Sequence, residues 1–132
     1  MKIFENSKNS LTLVELIVVI IIIGIIFTFA IPTYRNAREK AQDKEAKSQL
    51  KLIQDAEAMK RLQINSYVSC VDNTECSNSL DLDLELTSAP WEFSVVISDV
   101  PPDFCAQAEL DSRSWHINKD DDEALKGVCS GF

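Results

Sequence analysis

A single carboxylate, Glu15, stands inside an apolar run that opens at Leu11, closes at Ile31 and is followed by Pro32. The run is broken only by Thr12, Glu15, Gly24 and Thr28. An acidic side chain within a membrane-grade helix costs roughly 3 kcal/mol or more near a bilayer centre. Such a group needs a cationic partner, or a place near the helix start from which it reaches the interface.

Other residues able to do chemistry lie far from this run. Cys70, Cys76, Cys105 and Cys129 allow three disulfide pairings. On the far side of a membrane from the reducing cytosol such cysteines meet oxidising conditions and are expected to bridge. The expected pairs are Cys70–Cys76, closing a local loop, and Cys105–Cys129, tying the tail to a strand. A four-cysteine zinc site is the alternative, although the spacings lack the close pairs of a zinc knuckle. Lys119-Asp120-Asp121-Asp122-Glu123 is an acidic cluster. Calcium favours several carboxylate oxygens, which makes Asp120, Asp121 and Asp122 weak calcium candidates. The glycine-punctuated spacing of an EF-hand is absent, and a solvated acidic turn is the expected reading. His116, the only histidine, falls in an expected strand with no identified nucleophile beside it. No catalytic constellation is evident, and neither an enzyme nor a cofactor is expected.

These residues must be held by elements that the pattern outlines. As a helix, Leu11 to Ile31 spans roughly 31 Å, the thickness of a bilayer core. Its β-branched content would suit a strand in water. In lipid each backbone amide must find a partner within its own segment, which favours helix. Beyond Pro32 the composition turns charged and Ala-rich, with no further Gly or Pro until Pro90. Ala46, Leu52, Ile53, Ala56, Met59, Ile64 and Tyr67 fall on one face at 100° per residue. Lys47, Lys51, Gln54, Asp55 and Arg61 lie largely away from that face, and Glu57 and Lys60 at its edges. Asp43–Lys47 and Glu57–Arg61 have the spacing of helical ion pairs. One helix over 11–65 would be about 80 Å long.

Residues 66–132 are few for an independent core, so the amphipathic face is expected to complete it. Asn78-Ser79 and Ser88-Ala89-Pro90 read as loop. Trp91 to Ile97 alternates, with Trp91, Phe93, Val95 and Ile97 on one side. Phe104 to Leu110 and Trp115 to Asn118 read as two further strands, with turns between. Leu80 to Leu86 alternates apolar and acidic and is a candidate edge strand. The expected fold is α+β, a long N-terminal helix packed on a small antiparallel meander.

The set Leu11-Thr12-Leu13-Val14-Glu15-Leu16, with Gly24, Pro32 and Tyr34 at matching distances, resembles the N-terminal signature of type IV pilins and type II secretion pseudopilins. The likeness covers residues 6–63. It implies that residues 1–10 are a leader, removed between Ser10 and Leu11 by a prepilin peptidase. It also implies N-methylation of Leu11. The family has Gly where Ser10 stands, and usually Phe where Leu11 stands. The freed Leu11 amine would be cationic, one helical turn from Glu15. Between subunits, Glu15 of one helix would meet the Leu11 amine of the next and set the axial register. The likeness assigns Gly24 and Pro32 to a weakened segment that unwinds on packing into a filament. Cys105–Cys129 would resemble the C-terminal disulfide loop of many type IV pilins. Major pseudopilins carry a calcium loop near the 120–122 cluster.

What the likeness implies is a filament subunit. It would be held in membrane lipid by its single span, with the head outside the cytoplasm, before joining a homopolymer that is extracellular or periplasmic. Its other partners would be the prepilin peptidase and the inner-membrane assembly platform with its ATPase. A pilus is the first expectation. A secretion-piston pseudopilin is the second, and an unprocessed membrane anchor the third. The chain has 13 basic and 21 acidic residues, a net charge of −8, which argues against a general nucleic-acid surface. Lys2 and Lys8 compete with Arg35, Arg38 and Lys40 across the span, so flanking charge leaves orientation undecided.

Overall fold

A computed structural model describes residues 12–82, 90–99 and 102–131. The architecture is α+β, a long N-terminal helix and a four-stranded antiparallel sheet. The elements run α1 (Leu13–Ile64), α2 (Asn73–Ser79), β1 (Glu92–Asp99), β2 (Pro102–Leu110), β3 (Arg113–Asn118) and β4 (Leu125–Lys126). Contacts divide the chain into two compact units, Met1–Lys40 and Ala41–Phe132. Helix α1 contributes to both.

In the first unit every residue from Thr12 to Lys40 is exposed. Helix α1 is helical through Gly24 and Pro32. The Thr28 hydroxyl donates to the Gly24 carbonyl at 2.9 Å and the Thr33 hydroxyl to the Phe29 carbonyl at 3.2 Å. Such back-bonding satisfies hydroxyls in a segment where proline has removed one backbone donor.

The second unit is built around the sheet, in the order β1-β2-β3-β4. Register sets the alanines of β2 against larger residues across the core face, with one large pair at the far end. Phe93 meets Ala108, Val95 meets Ala106, and Ile97 meets Phe104. Ala106 also faces Ile117, and Ala108 faces Trp115. The small residues of central β2 give the bulky neighbours room to interdigitate. Ala46, Leu50, Ile53 and Ala56 of α1 complete this core with Trp91 and Leu80. The helix ends at Asn65, which takes a left-handed conformation (φ 57°), while its N–H bonds the Arg61 carbonyl at 2.9 Å.

Several expectations are corrected. The buried face of α1 is Ala46, Leu50, Ile53, Gln54, Ala56 and Glu57, whereas Leu52, Met59 and Ile64 are exposed. Gln54 and Glu57 turn inward because each has a hydrogen-bond partner there, described below. Among the described residues neither Asp43–Lys47 nor Glu57–Arg61 forms an ion pair. Asp43 takes Arg113 of β3 at 2.6 Å, and the Lys47 ammonium lies 4.0 Å from the Trp115 ring centroid. Arg61 stacks on Tyr67, and Glu57 accepts from Val68. Asn78 and Ser79 lie in helix α2, not in a loop. Its start carries Asp72, whose side chain accepts the Glu75 N–H at 2.8 Å, and Glu75 reaches back to the Val71 N–H at 3.0 Å. Of the candidate edge strand, Leu80 to Leu82 are not in a strand, and 83–86 fall outside the described residues. Strand β4, two residues long, is an addition to the expected meander.

Candidate functional site

Two places bring the candidate residues together, one in each unit. In the first unit, the start of α1 is a reciprocal cap. Thr12 N–H and Thr12 Oγ1 both donate to Glu15 Oε2 at 2.9 Å, and the Glu15 N–H reaches Thr12 Oγ1 at 3.3 Å. This is the capping box that Thr-x-x-Glu encodes, with two orphan donors of the first turn satisfied. The Thr-x-x-Glu spacing of Thr12-Leu13-Val14-Glu15 carries that signal in the sequence. Glu15 therefore has a local occupation within its own chain. Ser10 and Leu11 fall outside the described residues, as does any contact between Glu15 and a terminal amine.

From Glu15 the helix presents a long apolar surface. Ile17 to Ile23 are about half exposed or more, and Phe29 is 73% exposed. No residue of the most apolar stretch is buried within the chain. One helix is thus long and apolar enough to cross a membrane. A Cβ added at Gly24 would meet nothing within 4 Å, so no packing within the chain calls for glycine there. Pro32 lies inside the helix without ending it.

The second unit carries the disulfides and the polar groups of the head. Cys70 is joined to Cys76 and Cys105 to Cys129, which leaves no free cysteine and overturns the zinc alternative. The first bridge joins the segment beside β1 to α2. Cys70 exchanges both backbone bonds with Val95, at 3.1 and 2.8 Å, so it covers part of the free edge of β1. Asn73 fastens α2 to the same strand, donating to the Trp91 carbonyl at 2.8 Å and accepting the Phe93 N–H at 2.7 Å. The second bridge ties the tail to β2, and Gln107 Oε1 accepts the Cys129 N–H at 3.0 Å beside it.

The turn after β3 is organised by α1. Gln54 Nε2 donates to the carbonyls of Asn118 at 2.6 Å, Asp121 at 3.0 Å and Lys119 at 3.3 Å. Lys51 Nζ donates to Gln54 Oε1 at 2.6 Å. The calcium candidates do not form a cage around this point. Asp121 Oδ2 accepts the Asn118 N–H at 2.8 Å, Asp120 lies 4.0 Å from Lys119 Nζ, and Asp122 is exposed. Among the described residues no three His, Cys, Asp or Glu side chains are grouped to hold a metal. His116 is half-buried in β3, and its Nδ1 is buried without a hydrogen-bond partner.

Glu57 is fully buried. Its Oε2 accepts the Val68 N–H at 3.0 Å, while Oε1 has no partner. Burial pushes its pKa up to about 7, against the pull of the Val68 hydrogen bond and the Lys60 charge. The sequence pattern places Gln54 away from the apolar face and Glu57 at its edge, so neither stands out as a buried polar group.

No protein-family model matches the chain, and no curated protein or solved structure is similar to it at a significant level.

Proposed function

We propose that this chain is a type IV pilin, a filament subunit held in the membrane by α1 and polymerised through it. The supporting observation is the stretch from Thr12 to Ile31, uncovered by its own chain and interrupted by one carboxylate. Water is a poor environment for so much apolar surface. Lipid suits it before assembly, and neighbouring copies of the same helix suit it afterwards. Glu15 would then meet the cationic Leu11 amine of the adjoining subunit in a medium of low dielectric, where opposite charges relieve each other's desolvation. Gly24, unneeded for packing within the chain, would serve close helix approach or local unwinding between copies. The two disulfides suit a head outside the cytoplasm.

Mass spectrometry of the purified chain tests the processing step. A methylated N-terminus at Leu11 is expected, and an N-terminus at Met1 overturns it. Electron microscopy of cells labelled against the head tests the filament itself. Long surface fibres are expected. Their absence, with the chain confined to the envelope, would favour the pseudopilin reading.

A further inference from the structure

The turn after β3 has an unusual centre. Three backbone carbonyls, from Asn118, Lys119 and Asp121, converge on a single nitrogen, Gln54 Nε2, at 2.6 to 3.3 Å. Converging carbonyl oxygens are the kind of ligand set that cations attract in loops. An amide nitrogen carries two hydrogens, so serving three acceptors means one hydrogen is shared. Gln54 is only 7% exposed, so water does not readily replace it.

The other end of the amide explains how one neutral group manages this. Lys51 Nζ sits 2.6 Å from Gln54 Oε1. The ammonium fixes which way the amide faces and polarises it, which makes the Nε2 hydrogens more positive. Lys51 is three residues before Gln54, hence on the same face of the helix. The turn then closes on itself, with Asp121 N–H on the Asn118 carbonyl at 3.3 Å and Asp121 Oδ2 on the Asn118 N–H. Lys119 Nζ folds over toward Asp103 Oδ2 at 3.6 Å and the Pro102 carbonyl at 3.5 Å. Asn118 Oδ1 is left buried without a partner, but calcium takes about 6–8 oxygen ligands and one spare amide oxygen does not supply them.

We propose that the Lys51–Gln54 pair stands in this turn where a divalent cation would, so that the head secures its β3–β4 connection to α1 without metal. The calcium that pseudopilin likeness implies does not fit these residues, since their carbonyls are already gathered on Gln54 and the Asp121 carboxylate is already used. This inference does not depend on whether the chain forms filaments.

The full chain in detergent micelles supplies the test. Trp91 and Trp115 both lie in the second unit, so tryptophan fluorescence reports thermal unfolding of the head. Melts are run in millimolar calcium chloride, in magnesium chloride and in EDTA. The wild-type midpoint is expected to stay within about 1 °C across all three, whereas Gln54→Glu, with a carboxylate facing carbonyl oxygens, falls by about 5 °C or more in EDTA and recovers in calcium. A wild-type midpoint that drops in EDTA overturns the proposal. So does a folded Gln54→Glu whose midpoint ignores calcium. The wild-type arm decides the matter even where Gln54→Glu does not fold.

Discussion

Glu57, at the C-terminal end of the buried face of α1, accepts the backbone N–H of Val68 at 3.0 Å. One of its carboxylate oxygens is satisfied and the other is buried without a partner. The contact joins the end of the long helix to the segment that leads into the first disulfide. Its cost depends on pH, because the buried group favours its proton.

The pKa of Glu57 is raised from 4.5 to about 7. Between those values the folded chain keeps a proton that the unfolded chain has released. Its contribution is therefore fully present below the unfolded value and lost as pH rises through about 7, by up to about 3 kcal/mol. Glu57→Gln keeps an oxygen for Val68 and carries no charge at any pH. It should match the wild type in stability near pH 4.5 and exceed it by about 2–3 kcal/mol near pH 8. Urea unfolding across this range, followed by tryptophan fluorescence, measures the difference. A gap that does not change with pH would show that the carboxylate stays ionised throughout.

The same residue shows what the sequence could and could not reveal. Ala46, Ile53 and Ala56 are legible as core because apolar residues at helical spacing have nowhere else to go. The buried face is rotated from the expected one, because Met59 and Ile64 read as inward, Gln54 as outward and Glu57 as lying at the edge. Those two polar residues are buried by partners that lie 64 and 11 positions away, which no local pattern contains. The alternating strands were legible since period two is a strong local signal. Helix α2 was not, although Asp72-Asn73-Thr74-Glu75 carries its capping pattern, because seven mostly polar residues around Cys76 show too little apolar periodicity to stand out from a loop. Strand β4 is too short to leave any periodicity. Glu15 was legible as an anomaly, and its capping role was not.

Arg113 of β3 makes two bonds to α1 and stacks on Trp91 beside β1. It donates to Asp43 Oδ1 at 2.6 Å and to Gln42 Oε1 at 2.9 Å, and its guanidinium lies 5.2 Å from the Trp91 ring centroid. The fork and the stacking plane both belong to arginine rather than lysine. Arg113→Lys is therefore expected to lose about 1 kcal/mol and Arg113→Ala about 2 kcal/mol. The partly exposed setting keeps these values small. Equal stability of the lysine variant and the wild type in urea titrations would mean that charge alone matters.

The bridge between Cys105 and Cys129 closes a loop with a separation of 24 residues, against 6 for Cys70 and Cys76. Loop entropy in the unfolded chain predicts about 3 kcal/mol for the longer closure and about 2 kcal/mol for the shorter. Cys105→Ala with Cys129→Ala should thus cost more than Cys70→Ala with Cys76→Ala on that ground alone. The shorter bridge also holds Cys70 against Val95 on the β1 edge. If the Cys70–Cys76 pair proves the costlier loss in denaturant titrations, protection of that edge outweighs chain entropy.

Thr12 and Glu15 allow the cap and the charge to be separated. Their reciprocal bonds stabilise the first turn of α1, and losing the Thr12 side chain should cost about 1 kcal/mol of helix start. The proposed filament contact needs something else, a negative charge at position 15. Thr12→Ala removes the hydroxyl and keeps the charge. Glu15→Gln keeps an acceptor for the Thr12 donors, since Gln serves a capping box as Glu does, and removes the charge. Membrane insertion should survive both changes, because the apolar run is untouched. Fibres should persist in Thr12→Ala and disappear in Glu15→Gln, as counted by electron microscopy of sheared surface material. Wild-type fibres from Glu15→Gln would mean that the carboxylate serves the helix start alone. A loss of fibres in both variants would mean that assembly needs the capped first turn as well as the charge.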